Sequence, residues 1–485
     1  MSTPKKLSTA DFINSPAVVQ NLQKLKAAFG EGGRDLIISD ELDLTGHQYV
    51  NLVQKGGGVL GIALIGYTYT LEQMGVRFLR LAGTSAGAIN TAMLAIVGEK
   101  EDAKSLKVLE AVAALQLPDL LDGHPVARWL TKQFIATKGF LNKLKAVWLG
   151  IGIFYTLLLI TTFICLWLLP HNQPMVHFTQ TLVILLLVAT GFLGALVYYI
   201  TRLLKRLKSS GYGINPGNFF YDWIKTLMQQ NGVDTIDALV GKATQPIPGL
   251  HLRTNNPEGT AQLEPDVTFI ASELITENKI EFPRMCNLFR PQDRLNELHP
   301  AGLVRASMSI PLLFESYFIY GIPQSDPSVQ KAWRDAFGET TPPAEARFVD
   351  GGILSNFPVS IFYNSAIAIP RLPVFGIDLN DTAPSDKSKQ AASWTFMGYL
   401  FRIFNTTRNY YDKDFQLKNK VYSKGIGTIA LPEFNWLDFF ITDAEKRVLF
   451  ERGVATATAF LLQFDWEAYK KDRSFMRATL KNDIK

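Results

Sequence analysis

The sequence predicts an α/β fold interrupted by a helical hairpin long enough to cross a membrane. Two observations carry this. From Tyr49 to Gly98 the chain twice runs through a β-prone segment, a glycine-rich turn and a helical segment. From Ala146 to Thr201 it has no Asp, Glu, Lys or Arg. A length of 485 residues allows two or three domains. The apolar content, 47%, is ordinary for a globular protein, so the membrane signal is local.

Residues 1–48 are mixed and polar and read as a helical lead-in, with an amphipathic stretch at Val18–Phe29. Tyr49–Gln54 is a short β-prone run. The turn GGGVLG follows, then a helix over Val59–Met74 closed by Gly75. Val76–Ala82 is a second strand, entering Gly83–Gly87 and a helix over Ala86–Val97 closed by Gly98. Such βαβα units pair their strands in parallel. Strand signals return at Val267–Ala271, Arg347–Val349 and Val374–Ile377. A helix is expected near Phe219–Asn231, and Gly321–Ala346 reads as a Pro-rich surface loop. Residues 380–485 read as a C-terminal helical region. In it Thr442–Glu445 is a capping box starting a helix to about Leu462, and Lys470–Lys485 is a solvated tail.

The hairpin consists of Val147–Leu169 and Phe178–Ile200, 23 residues each, joined by the polar Pro170–His177. At 1.5 Å per residue each run spans a hydrocarbon core of about 30 Å. A buried pair of core helices is the other reading of such runs. From Gly123 to Tyr221 there are nine Lys or Arg and no acid, clustered at the two ends of the hairpin. The positive-inside rule then places both ends of the hairpin 147–200, and the catalytic domain they join, on the cytoplasmic side and the loop outside. The same cations suit anionic head groups. No basic patch interleaved with aromatic residues is present, so no nucleic-acid partner is expected. The terminus MSTPKKLSTADFINSPAVV lacks the apolar stretch of a signal peptide. Cys165 and Cys286 offer neither a disulfide framework nor zinc spacing, and no metal site is expected.

Four motifs carry chemistry. Gly83-Thr84-Ser85-Ala86-Gly87, at a strand-to-helix turn, reads as a nucleophile elbow that lifts Ser85 above the sheet edge at a helix N-terminus. By itself it also fits a glycine-rich structural turn. Gly56–Gly61 occupies the equivalent position one strand earlier. As a dinucleotide fingerprint it would need an acid near the end of the second strand, and the first acid after Glu72 is Glu99. The remaining use is an oxyanion hole, with Gly57 and Gly58 facing Ser85. No histidine follows His299, so an acid beyond it, Asp350 included, cannot precede a histidine as an α/β-hydrolase triad requires. Asp350-Gly351-Gly352 follows a strand, which delivers Asp350 to the same sheet edge, where a carboxylate in reach of Ser85 can take its proton directly. Asp-Gly-Gly alone is also a common turn.

In order, GGGVLG, GTSAG, Arg305–Pro311 (RASMSIP) and DGG resemble the patatin-like phospholipases, serine lipid acyl hydrolases with a Ser–Asp dyad. The resemblance covers about Asn51 to Tyr363, extends weakly to Leu379, and is interrupted by the hairpin. It implies a three-layer α/β/α catalytic domain over residues 49–379 with a mainly parallel central sheet. It also implies Ser85 as nucleophile, Asp350 as general base, and an oxyanion hole from the backbone of Gly57, Gly58 and Val59. Gly56, Gly61, Gly83, Gly87, Gly351 and Gly352 complete the motifs, and Arg305–Pro311 shapes the pocket wall. Many members carry a basic residue where this chain has Leu60. The implied substrate is a phospholipid or related acyl ester, with no cofactor. Transfer of the acyl group to another lipid, and a non-catalytic membrane scaffold, are the alternatives.

Overall fold

The computed structural model describes residues 7–136, 140–167, 173–209, 211–253, 266–364, 367, 369–381, 406, 410 and 412–483. Two compact units are present: Met1–Asp122 with Gly217–Lys485, and Gly123–Pro216.

The larger unit is built on one mixed ten-stranded sheet. Its strands are β1 (Glu41–Leu42), β2 (Gln48–Gln54), β3 (Val76–Thr84), β4 (His251–Leu252), β5 (Asp266–Glu273), β6 (Lys279–Phe282), β7 (Tyr317–Tyr320), β8 (Glu345–Asp350), β9 (Val374–Asn380) and β10 (Ile426–Ala430). The main order is β10-β9-β2-β3-β5-β8-β7. The first five of these are parallel. β6, β7 and β8 join beyond them through antiparallel pairings, as do β1 and β4 at the margin. β2 is buried along its whole length and β3 nearly so, as a sheet covered on both faces requires.

In this unit the helices are α1 (Thr9–Ile13), α2 (Pro16–Phe29), α3 (Gly61–Gln73), α4 (Ala86–Ile96) and α5 (Ser105–Ala114) before the smaller unit. The smaller unit holds α6 (Pro125–Ala136), α7 (Phe140–Trp167) and α8 (Gln173–Ser209). Then follow α9 (Asn218–Gln230), α10 (Ile236–Ala243), α11 (Pro300–Ser307), α12 (Pro327–Phe337), α13 (Asp443–Gln463) and α14 (Trp466–Asp483). α3 packs on α13 and on α4, and α4 in turn on α10 and α11, all in one apolar cluster with Val50 and Leu52 of β2. On the opposite face Val53, Ala82 and Val374 pack with Phe357, Tyr422 and, from α14, Trp466 and Tyr469. The sheet is thus covered on both faces, as an α/β/α arrangement requires.

The C-terminal third is part of this body. β10 pairs with β9, and α13 crosses α3 so closely that a side chain at Gly66 would meet the Phe450 carbonyl and one at Gly453 the Ala63 carbonyl. The capping box is present, with Thr442 Oγ1 accepting from Glu445 N–H at 3.2 Å and Glu445 Oε2 accepting from Thr442 N–H at 2.6 Å. Two loop expectations give way to packed helices. The Gly321–Ala346 segment contains α12, whose Trp333 is fully buried and donates Nε1–H to Leu288 O at 2.7 Å. The tail expected to be solvated, Lys470–Lys485, continues α14 as far as Asp483; buried Trp466 and Tyr469 anchor this helix just before the tail, and the Lys470–Asp40 ion pair holds it at 3.1 Å. In both, one or two aromatic residues among many polar ones suffice to fix a helix, a signal that average polarity hides.

In the smaller unit, Lys145–Trp167 and Val176–Leu203 are long and apolar enough to cross a membrane. Leu168, Leu169 and the loop tip at 170–172 lie outside the described residues. α8 begins at Gln173, so part of the expected loop is helical. The two helices meet along a narrow seam, where Tyr155 and Thr190 hydroxyls lie 2.9 Å apart and Leu158, Thr162 and Thr179 are buried. Elsewhere their apolar side chains are open within this unit, Phe154 at 61% and Phe192 at 69% exposure.

Candidate active site

The turn after β3 forces Ser85 into φ 54°, ψ −120°. That region costs a non-glycine residue about 1–3 kcal/mol and persists only where neighbours over-determine it. The neighbours here are the flanking glycines. A side chain at Gly83 would meet the Gly87 carbonyl, and one at Gly87 the Gln54 carbonyl of the adjacent strand. Only hydrogens fit, so strand, turn and helix close tightly and Ser85 heads α4. Ser85 is 5% exposed.

Asp350 reaches the same place by a different route from the one expected. β8 is antiparallel to β5, so its C-terminal end does not follow the parallel edge. It stops where Asp350 pairs with Ala271, one residue beyond the Thr84–Ile270 pairing of β3 with β5. Ser85 and Asp350 therefore flank β5 at one level. Asp350 Oδ1 accepts the Gly352 N–H at 2.7 Å, which orients the carboxylate as the cap of the DGG turn. Ser272 Oγ donates to the Asp350 carbonyl at 3.1 Å.

Arg305–Pro311 does more than line a wall. Ser307 Oγ accepts the Ser85 N–H at 3.0 Å, and the Ser309 carbonyl accepts the Asp350 N–H at 2.8 Å. One three-residue stretch thus holds both positions. Buried Arg305 in turn donates to Ser309 Oγ and, at 2.9 Å, to Glu315 O. Burial pushes the Arg305 guanidinium down to about 10, partly opposed by Asp122 and Glu315.

Gly56 lies directly against the elbow: a Cβ there would stand 3.0 Å from Ser85 Cβ and 2.6 Å from Asn356 Oδ1. Gly56 N–H donates to Asn356 O at 3.0 Å, and Asn356 Nδ2 donates to Gly56 O at 3.3 Å. In the rest of the loop Val59 N–H donates to Trp436 O at 3.1 Å, and Leu60 N–H to Gly57 O at 3.1 Å. The Val59 N–H, expected among the oxyanion donors, is thus engaged by a carbonyl of the chain. Among the described residues the amides of Gly57 and Gly58 meet no acceptor. Gly58 has φ 54°, and a side chain there would run into the Trp436 carbonyl. Gly61 packs its Cα face on Ala86, joining the two motifs.

Sequence reasoning missed Ser307 and Ser309 as tethers, Asn356 beside Gly56, and Asp412, which accepts from Ser355 Oγ at 2.8 Å and Phe357 N–H at 2.7 Å. Burial raises the Asp412 carboxyl above its ordinary range. The Ser355-Asn356 pair just after DGG was the available signal for two of these. Two histidines of the larger unit serve structural turns instead. His299 caps α11 through Nδ1, which accepts Ala301 N–H at 3.1 Å, and His47 is held by Asp43 at 3.0 Å just before β2.

Residues 52–163 match the family model for patatin-like phospholipase. The uncharacterized protein YqhO of Bacillus subtilis (strain 168) is 24% identical over 419 residues, covering 86% of this chain and 100% of YqhO. The crystal structure of VipD from Legionella pneumophila aligns with a TM-score of 0.35 and 15% identity, covering 88% of this chain and 70% of VipD. The chain thus carries a patatin-like phospholipase domain match over residues 52–163, and its fold is the patatin-like α/β arrangement with an inserted apolar helical pair.

Proposed function

We propose that this chain is a membrane-anchored serine hydrolase that cleaves acyl esters of phospholipids or related lipids. The observation that carries the reading is Ser85, a non-glycine residue held at φ 54° at the head of α4 between two glycines that tolerate no side chain. Such strain concentrates where a turn serves chemistry. In the mechanism Ser85 Oγ attacks the ester carbonyl and passes its proton to Asp350. The oxyanion forms on the Gly57 and Gly58 amides, helped by the positive end of the α4 dipole. Asp350 then protonates the leaving alcohol. Water repeats the path in reverse, giving its proton to Asp350 as it attacks the acyl-enzyme and releasing Ser85. These steps need no metal or organic cofactor.

α7 and α8 anchor the enzyme, with the larger unit on the cytoplasmic side and the basic flanks near anionic head groups. The open apolar surface of both helices and the absence of acids from Gly123 to Tyr221 support this. The test is lipid mass spectrometry after incubating purified full-length protein with mixed phospholipid vesicles. Free fatty acid and lysolipid should accumulate with wild type and not with Ser85→Ala. Acyl-exchanged lipid without free fatty acid would make the activity a transfer. No change in any lipid would favour the scaffold reading.

A further inference from the structure

The segment Pro432–Ile441, which links β10 to α13, crosses the candidate site, and nothing in the four motifs points to it. At one end the Trp436 carbonyl takes the Val59 N–H at 3.1 Å, and the Trp436 ring carbon Cε3 comes within 3.3 Å of where a Gly58 Cβ would stand. At the other end Phe439 packs edge-on against Phe314, with centroids 6.1 Å apart. Phe314 lies under the Arg305 guanidinium, 5.6 Å from its ring centre, in the segment that tethers Ser85 and Asp350. Between these ends Asn435 Oδ1 accepts Leu437 N–H at 3.1 Å and Asp438 Oδ1 accepts Phe440 N–H at 3.0 Å. Successive side-chain-to-backbone turns of this kind fix an irregular segment. The span is therefore a strap tied to the oxyanion loop and to the tether.

Its chemistry is one-sided. Phe434, Trp436, Leu437 and Phe440 are only half-buried, and Glu433 and Asp438 are its charges, with no Lys or Arg. Glu433 is paired with Arg452 at 3.2 Å, and Asp438 would repel a phosphoryl group, whereas an acyl chain matches the half-covered apolar side chains. An ester carbonyl bound by the Gly58 amide must sit about 3 Å from that nitrogen. Trp436, in contact with Gly58, is then among the first side chains an acyl chain meets.

We propose that this strap forms the acyl-side wall of the site and that Trp436 determines acyl-length preference. The inference rests on the reading of Ser85 as the nucleophile. In an apolar pocket one methylene changes discrimination by roughly 10–200-fold. Trp436→Ala should uncover several methylenes of a long chain and lower the ratio of kcat/KM for p-nitrophenyl laurate over butyrate by at least about tenfold. Trp436→Phe should recover most of that ratio, because it keeps an aromatic face, which a merely structural loss would not reproduce. Trp436→Leu, intermediate in area, guards against misfolding of the alanine variant and should give an intermediate ratio. The assay uses full-length protein in detergent, with fluorophosphonate labelling of Ser85 run in parallel. Labelled wild type with an unchanged laurate-to-butyrate ratio in all three variants overturns the strap and leaves the nucleophile standing. Wild type that neither labels nor turns over either ester overturns both.

Discussion

Ser307→Ala removes one oxygen from a buried pair and tests how the elbow is held. Ser307 is fully buried, and its Oγ accepts the Ser85 N–H at 3.0 Å. The alanine leaves that buried amide without its acceptor. A buried donor left unpaired costs about 1–3 kcal/mol, and the Ser85 backbone already stores strain of about 1–3 kcal/mol. The turn can recover part of both by relaxing away from φ 54°. At about 1.4 kcal/mol per factor of ten, local opening should become roughly 5–150-fold more frequent. Hydrogen-exchange mass spectrometry on peptides spanning residues 80–92 reads this directly, and fluorophosphonate labelling should slow in the same variant. Ser307→Thr keeps the hydroxyl and should stay nearer wild type. If exchange in these peptides is unchanged while Ser307→Ala folds normally, the turn is fixed by its glycines alone and the tether carries no weight.

Gly58→Val should lower ester turnover by at least about 10²-fold, the cost of one lost oxyanion donor. The added Cβ would push the loop off the Trp436 carbonyl at a residue with φ 54°. Near-normal turnover would make this glycine loop a plain turn. Burial pushes Lys100 down to about 7 while its amine donates to Ala243 O at 2.9 Å. Between about pH 7 and 10 the unfolded chain holds a proton that the folded chain lacks, so this group adds stability as pH rises and withdraws it as pH falls. The urea midpoint of wild type should therefore rise relative to Lys100→Met from pH 7.5 to 9.5, and parallel curves would refute the assignment. A cysteine at Asn172, with Cys165 and Cys286 removed, should react with an impermeant thiol reagent from outside intact cells, and one at Ser209 should not. The reverse pattern would invert the orientation, and release of wild type by alkaline washing would remove the anchor.

The site motifs were legible because close packing allows few residues: only glycine fits at positions 83 and 87, so the elbow is written as a local string. The parallel strands were legible for a related reason, since β2 and β3 are buried and read as apolar runs. Contacts that depend on distant pairing were not. β10 is five residues of ordinary polarity, legible only once β9 is beside it. The sense of β8 could not be read from its strand pattern, which is the same in either direction; its partner β5 decides it. The engagement of the Val59 N–H depends on a carbonyl 377 positions away in the chain, at Trp436. Ser307 and Ser309 sat inside a recognised motif, but nothing local to RASMSIP shows that one holds the nucleophile's amide and the other the base's.

The central claim is that Ser85 is the activated nucleophile. Purified full-length protein is incubated with a fluorophosphonate, digested, and mapped by mass spectrometry. The account predicts a single adduct on the peptide containing Ser85, absent in Ser85→Ala and strongly reduced in Asp350→Asn. An adduct that persists in Ser85→Ala, or folded wild type that takes up no probe, would contradict it.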